Sequence, residues 1–375
     1  MIKVMTVLGT RPEAIKLAPV LDELSRRQGI RSVLCSSGQH LEMLTGALEV
    51  FDVEVDYDLG LMEESQSLSG LTARAIRGIS QKIEAENPDL VLVQGDTTTA
   101  FVGALAGFYN RTTVGHVEAG LRSGDRSNPF PEEINRRLAD SLSDLLFAPT
   151  EGAKVNLERE DFPETSISVT GNTVIDALLR IDGAIDRGDL RPDYPIDVTQ
   201  FDDEKRKLLL VTAHRRESLD GGITRIARAI KQLVHGFPEL EVVFPVHLNP
   251  RVQEVVHEIL ENEEGVTLVE PVDYLTFIGL MRVADLIVTD SGGIQEEAPS
   301  LGVPVLVARE RTERPEAIEA GTAKLVGTDT ERIVSEASNL LSNRDSYEEM
   351  ANRVNPFGTG EASEKIVDGI LAYFD

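Results

Sequence analysis

Residues 115–137 read GHVEAGLRSGDRSNPFPEEINRR and set four carboxylates (Glu118, Asp125, Glu132, Glu133) among four arginines and one histidine. This mixture directly follows the apparent buried strand TTVGHVEA and has two readings. It is either a loop held by ion pairs, or a set of acids and bases gathered around a substrate. Glu118 falls near the end of the strand, Glu132 follows Pro131 at an expected helix start, and Arg136 lies one turn later. Carboxylates so placed suit proton transfer, because burial or mutual repulsion raises one pKa and keeps that acid protonated.

Four further strand ends carry polar groups. In VLGTRPEAIK (7–16), Gly9 suits a tight turn and Pro12 a helix start, with Arg11 and Lys16 placed to strengthen anion attraction by backbone N–H groups. A capped turn with surface bases is the plainer alternative, and the stretch is not GxGxxG, so it gives no dinucleotide fingerprint. TDSGGIQEE (289–297) brings small residues to a helix start, where a phosphate is favoured. Of its two glutamates, Glu296 and Glu297, one is expected to orient ribose hydroxyls and the other to face solvent or fix the turn. LLLVTAHRRES (208–218) ends in His214, Arg215, Arg216 and Glu217, suited to phosphate contact and to proton traffic near neutral pH, or to a salt network. His247, in FPVHLNP, sits at another strand exit, where it contacts a ligand or satisfies the turn. His116 and Glu118 alternate along one strand, but that spacing makes no coordination sphere, and no metal is expected.

The elements that must position these groups are short apolar strands alternating with amphipathic helices. IKVMTVLG, RSVLCSS, DLVLVQG, TTVGHVEA, DLLFAPT and SISVTGN read as strands, and EAIKLAPVLDELSRR and TAFVGALAGFYN as intervening helices. The grammar restarts after about residue 200 with KLLLVTAHR, LEVVFPVH, VTLVEP, LIVTDSGG and PVLVARE. Repeated strand–helix units imply a parallel sheet covered on both faces, here twice over. The Asp-, Gly- and Pro-rich stretch 180–205 reads as a surface connection. The expected division is a Rossmann-like domain over 1–171, a nucleotide-binding Rossmann-like domain over 172–357, and a helix over 358–375 returning to the first.

With 375 residues and 41% apolar content, the chain can build two cores. It lacks a signal-peptide pattern and any apolar run of about 18–20 residues, so a soluble cytoplasmic protein without membrane insertion is expected. The formal charge of −27, with only nine lysines, repels bulk nucleic acid and anionic membrane and suits a salt-rich cytosol. The one cysteine, Cys35, excludes an intrachain disulfide and reads as a small buried hydrophobe.

Taken jointly, GTRPEAIKLAPV, QGDTTT, GHVEAGLRSGD, PFPEEINRR, VTAHRRES, PVHLNP and TDSGGIQEEAPSLGVPVLV resemble the non-hydrolysing UDP-N-acetylglucosamine 2-epimerases, from residue 1 to about 370. The resemblance implies a GT-B-like architecture of two doubly wound α/β domains with an interdomain active-site cleft, in a homodimer. It implies interconversion of UDP-N-acetylglucosamine and UDP-N-acetylmannosamine, with no cofactor and no metal. By the same resemblance Asp96, Glu118, Glu132 and His214 are the catalytic positions. Arg11, Lys16 and Arg136 belong to the substrate site, Ser291, Gly292, Gly293, Glu297 and Arg314 serve the UDP portion, and Phe277 frames the uracil. The implied mechanism eliminates UDP to leave 2-acetamidoglucal, then adds UDP back after inversion at C2. In SSGQHLEMLTG, Gln39 and His40 match a bacterial segment that binds a second, activating substrate. Leu41 and Glu42 depart from it, so altered or absent activation is expected. A hydrolysing epimerase, a glycosyltransferase and a catalytically silent regulator that binds nucleotide sugars are the alternatives.

Overall fold

The fold is taken from a computed structural model, described here for residues 1–38, 48, 50–51, 53–61, 67–201, 206–215 and 221–375. The segment with Gln39, His40, Leu41 and Glu42, together with Arg216 and Glu217, lies outside the described residues.

Contacts divide the chain into two compact units, residues 1–177 with 357–375, and residues 178–356. In chain order the first unit holds β1 (Ile2–Leu8), α1 (Arg11–Arg26), β2 (Ile30–Ser36), β3 (Tyr57–Asp58), α2 (Leu68–Glu86), β4 (Leu90–Gln94), α3 (Thr98–Tyr109), β5 (Thr113–Val117), α4 (Glu132–Ser141), β6 (Leu145–Ala148), α5 (Glu151–Arg159) and β7 (Ile167–Val169). Helix α6 (Thr173–Arg187) contains the division between the units. The second unit holds β8 (Lys207–Thr212), α7 (Gly222–Gly236), β9 (Leu240–Pro245), α8 (Pro250–Leu260), β10 (Val266–Val269), α9 (Tyr274–Val283), β11 (Leu286–Thr289), α10 (Gly292–Glu297), β12 (Val305–Val307), α11 (Pro315–Ala320), β13 (Ala323–Leu325), α12 (Thr330–Ser342) and α13 (Arg344–Ala351). Helix α14 (Ala362–Phe374) belongs to the first unit.

Both sheets are parallel and doubly wound. Among the described residues the first has seven strands in the order β3-β2-β1-β4-β5-β6-β7, the second six in the order β10-β9-β8-β11-β12-β13. In each, strand order reverses beside the first strand, between β1 and β4 and between β8 and β11. Open α/β sheets bind ligands beyond the carboxyl ends of the strands at that reversal.

The strands form because both faces are covered. LVLVQ of β4 is buried throughout, and Met5, Val7, Val91 and Val93 pack with Ala100, Val102 and Ala104 of α3. Cys35 lies in this core, and burial pushes its thiol up to about 12. In the second unit α7 turns Ile223, Ile226, Ala227, Ile230, Leu233 and Val234 inward, a helical stripe against Val211, Val242 and Phe244. Helix α14 docks through Ile366, Val367 and Ile370, and its first turn is held by the buried Asp176, which accepts from Ala362 N (3.2 Å), Ser363 N (2.7 Å) and Ser363 Oγ (2.6 Å). Among the described residues no helix is long and apolar enough to cross a membrane.

Candidate active site

The β1–α1 turn is closed from within. Gly9 allows it, since a Cβ there would stand 2.3 Å from Ser37 Oγ and 2.5 Å from Thr99 Oγ1. The buried Glu13 then takes the N–H groups of Gly9 (3.1 Å) and Thr10 (2.7 Å), and also accepts from the Thr10 and Thr97 hydroxyls. Burial pushes its carboxyl pKa up, with those bonds opposing. The backbone donors considered for an anion at this turn are therefore spent on an internal acid. The exposed Arg11 and the side chain of Lys16 remain as its positive groups.

Glu118 directly follows β5 and is held at φ +68°, a left-handed conformation uncommon for a residue with a Cβ. Its own N–H and that of Ala119 both donate to Phe147 O, at 3.0 and 3.1 Å, which fixes this sharp exit from the strand. The carboxylate is nearly buried and met by donors on both oxygens. Lys16 Nζ (2.5 Å) and Asn172 Nδ2 (3.2 Å) reach Oε1, and Gln94 Nε2 reaches Oε2. Asp96, just beyond β4, pairs with the Arg136 guanidinium, and its carbonyl accepts from Asn135 Nδ2 at 3.0 Å. Helix α4 thus anchors the loop that carries Asp96.

The acids of residues 115–137 separate by task. Glu133 is fully buried, accepts from Ser123 N (3.0 Å) and faces Arg136 and Arg137, so it shapes the loop. Glu132 begins α4, half-exposed and without a hydrogen-bond or ion-pair partner among the described residues. The nearly buried Arg122 is engaged by Asp140 and Glu160, both at 2.7 Å, while Asp125 caps the turn through Ser127 N at 2.9 Å and Arg126 is exposed. His116 does not share a donor set with Glu118. Its two ring nitrogens are taken by Asp140 and the Gly95 carbonyl, and among the described residues no three His, Cys, Asp or Glu converge as a metal site.

The second unit holds a separate cluster at its own strand reversal. Asp290, fully buried at the end of β11, accepts from the N–H of His214 (2.9 Å) and of Arg215 (2.8 Å), and lies 3.1 Å from His214 Nδ1. Burial alone would raise the Asp290 carboxyl, but His214 and these N–H groups hold it below its ordinary value. The Nδ1 contact leaves Nε2 as the ring atom of His214 suited to handle a proton. The ring stacks on exposed His247 with centroids 5.6 Å apart.

Beyond β11, Ser291, Gly292 and Gly293 open α10. A Cβ on Gly292 would come within 3.7 Å of Arg215 Nη2 and 3.9 Å of Arg314 Nη2, so two guanidiniums flank this helix start. Neither acid of α10 faces solvent, contrary to one expectation: both are buried, Glu296 paired with Arg314 and Glu297 accepting from Tyr274 OH at 2.6 Å. Phe277 lies half-buried on α9, three residues after Tyr274 and hence on the same helix side. Gln94, Asn172, Asp290 and Tyr274 escaped the sequence reading. The first three stand inside the motifs QGD, TGN and TDSGG, yet neutral amides and a second strand-end acid carry no signal of their own.

Both doubly wound units therefore carry polar clusters beyond the carboxyl ends of their strands, the plan of enzymes that act on nucleotide-linked substrates. The family model described as UDP-N-acetylglucosamine 2-epimerase matches residues 22–371. The chain is 49% identical over 371 residues to UDP-N-acetylglucosamine 2-epimerase of Yersinia pestis, covering 98% of each protein. It is 47% identical to the Escherichia coli K12 enzyme of that name, again covering 98% of each. Among solved structures it is similar to UDP-GlcNAc 2-epimerase from Neisseria meningitidis bound to UDP-GlcNAc, with a TM-score of 0.89 at 46% identity, covering 99% of this chain and 100% of that one. The Methanocaldococcus jannaschii UDP-GlcNAc 2-epimerase, in complex with UDP-GlcNAc and UDP, gives a TM-score of 0.79 at 36% identity over 99% of this chain and 100% of that one. The chain belongs to the UDP-N-acetylglucosamine 2-epimerase family and is an enzyme of the epimerase class.

Proposed function

We propose that the enzyme interconverts UDP-N-acetylglucosamine and UDP-N-acetylmannosamine without hydrolysis, by eliminating UDP and adding it back. The observation that carries this reading is Glu118. A strained residue holds a nearly buried carboxylate against a lysine and two amides, a short distance in sequence from the loop-anchored Asp96–Arg136 pair. Inversion at C2 needs one group to remove its proton and another to return a proton to the opposite face. Asp96 and Glu118 take those tasks, with Glu132 in support. As the C2–H bond breaks, its electron pair forms the C1=C2 bond and the C1–O pair departs on UDP. In the return step a proton adds to the other face of C2 and the diphosphate oxygen rebonds to C1.

The second unit carries the groups suited to that leaving group. Arg215 and Arg314 beside Gly292, with the N–H groups of Gly292 and Gly293, suit a diphosphate in charge, and Ser291, whose N–H is taken by Thr289 Oγ1 at 2.9 Å, offers its hydroxyl. His214, oriented through Nδ1 by Asp290, offers Nε2 to the departing oxygen. Glu297, held by Tyr274, suits ribose hydroxyls, and Phe277 the uracil face. Arg11 and Lys16 add positive charge on the first unit, and a cytoplasmic enzyme is proposed with this substrate.

The test incubates purified protein with UDP-N-acetylglucosamine in heavy water and separates nucleotide sugars from free sugar. UDP-N-acetylmannosamine carrying deuterium at C2 is expected. Stoichiometric free N-acetylmannosamine would assign hydrolysis instead, and binding without exchange would assign a regulator.

A further inference from the structure

Among the described residues of the first unit, His116 is the one histidine, and both its ring nitrogens are bonded inside the protein. It is fully buried, with Nδ1 2.6 Å from Asp140 Oδ1 and Nε2 2.8 Å from the Gly95 carbonyl oxygen. A carbonyl oxygen only accepts, so Nε2 carries a proton. The other oxygen of Asp140 accepts from Arg122 Nη1 at 2.7 Å and from Gly120 N at 3.3 Å, so the side chain is held as an acceptor. Asp140, paired with Arg122 through one oxygen, accepts from Nδ1 through the other, and with both ring nitrogens donating the ring carries a positive charge. Burial by itself would push the imidazole pKa down. Asp140, the Gly95 carbonyl and the nearby charge of Glu118 together hold it above the ordinary histidine value.

The place of this charge gives it a task. Gly95 immediately precedes Asp96, His116 stands two residues before Glu118, and Asp140 lies on α4, which carries Glu132 and Arg136. One imidazolium therefore ties together the three segments that bear the proposed proton-transfer acids. Gly95 N donating to Val117 O at 3.0 Å closes the same ring of contacts. The groups facing it are Asp140 from α4, with Arg122 behind it, Gly95 O from the β4 loop, and Glu118 from its own strand.

We infer that His116 is a positioning residue for the C2 proton transfer: a buried imidazolium that sets the register of the Asp96 loop against α4 and favours the ionised form of Glu118. The role rests on the epimerisation proposed above. Coupling between charges is reciprocal, so removing the imidazolium raises the Glu118 pKa.

Two measurements test it. In the wild-type protein, ¹⁵N chemical shifts of His116 should show both ring nitrogens protonated from pH 6 to 8; a neutral ring at pH 7 overturns the inference. In His116→Asn, kcat should fall roughly 10- to 100-fold, as expected for a small misplacement of reacting groups. KM should stay within threefold, and the acid limb of the kcat profile should move to higher pH. A kcat within twofold of wild type with an unmoved acid limb overturns it. Asp140→Asn removes the charge that retains the second ring proton and should shift the acid limb the same way, which decides the matter if His116→Asn does not fold. A wild-type protein that exchanges no C2 hydrogen ends the functional reading and this role together, while the ¹⁵N shifts still report the ring's charge.

Discussion

At the scale of single residues, the proposed chemistry falls where a side chain is forced into place, as at Glu118, rather than where charge is dense. Glu118→Gln keeps the shape of the side chain and removes its basicity. It is expected to lower kcat by about 10²- to 10⁴-fold while UDP affinity, measured by calorimetry, stays within threefold. Asp290 yields a prediction in pH. Its folded pKa lies below the ordinary 3.8, so its contribution to stability is present above that value and is lost as pH falls through the folded pKa. In urea unfolding, the gap between wild type and Asp290→Asn should hold steady from pH 7 to about 5 and close below about pH 3.8. Glu118 was legible as an acid at the end of an apolar strand in a charged stretch, whereas Asp96 entered only through the resemblance carried by QGDTTT. Gln94 and Asn172 were not legible, since an amide shows its use only when the carboxylate it meets is in view.

At the scale of elements, the continuous apolar runs announced most strands but not the short β3 and β13, and nearly every candidate group follows one of those announced: Arg11 after β1, Asp96 after β4, Glu118 after β5, His214 after β8 and Ser291 after β11. Burial on both faces leaves little room for polar residues within such strands, so reactive groups gather where the sheet ends. The order of the strands was not legible, because most strands are similarly apolar and the pairing depends on which crossover packs on which face. The long-range anchoring of α14 was hidden for a related reason: Asp176 meets residues 362 and 363, which its own neighbourhood in sequence does not foretell. Asp176→Ala leaves the first turn of α14 with unmet donors and should cost about 1–3 kcal/mol in denaturant unfolding. Limited proteolysis should then cut first near residues 357–361.

At the scale of the whole molecule, the formal charge of −27 is spread over 375 residues with acids outnumbering bases 64 to 37. We propose that screening by salt relieves this self-repulsion, so both melting temperature and activity should rise as potassium chloride is increased from low concentration. Best stability at low salt would count against it. A homodimer is proposed as well, and sedimentation velocity should then give about twice the 41.0 kDa of one chain.

The path of the chain through its two units has a consequence for biosynthesis. Unit 2 is one uninterrupted stretch, 178–356, whereas unit 1 is split, with residues 357–375 supplying the helix whose Ile366, Val367 and Ile370 are wholly buried. A ribosome adding about 5–20 residues per second needs roughly 10–35 s to pass through the intervening stretch. For that interval the nascent amino-terminal sheet keeps an apolar flank uncovered, which makes it the part of the newborn protein most dependent on a chaperone's protection.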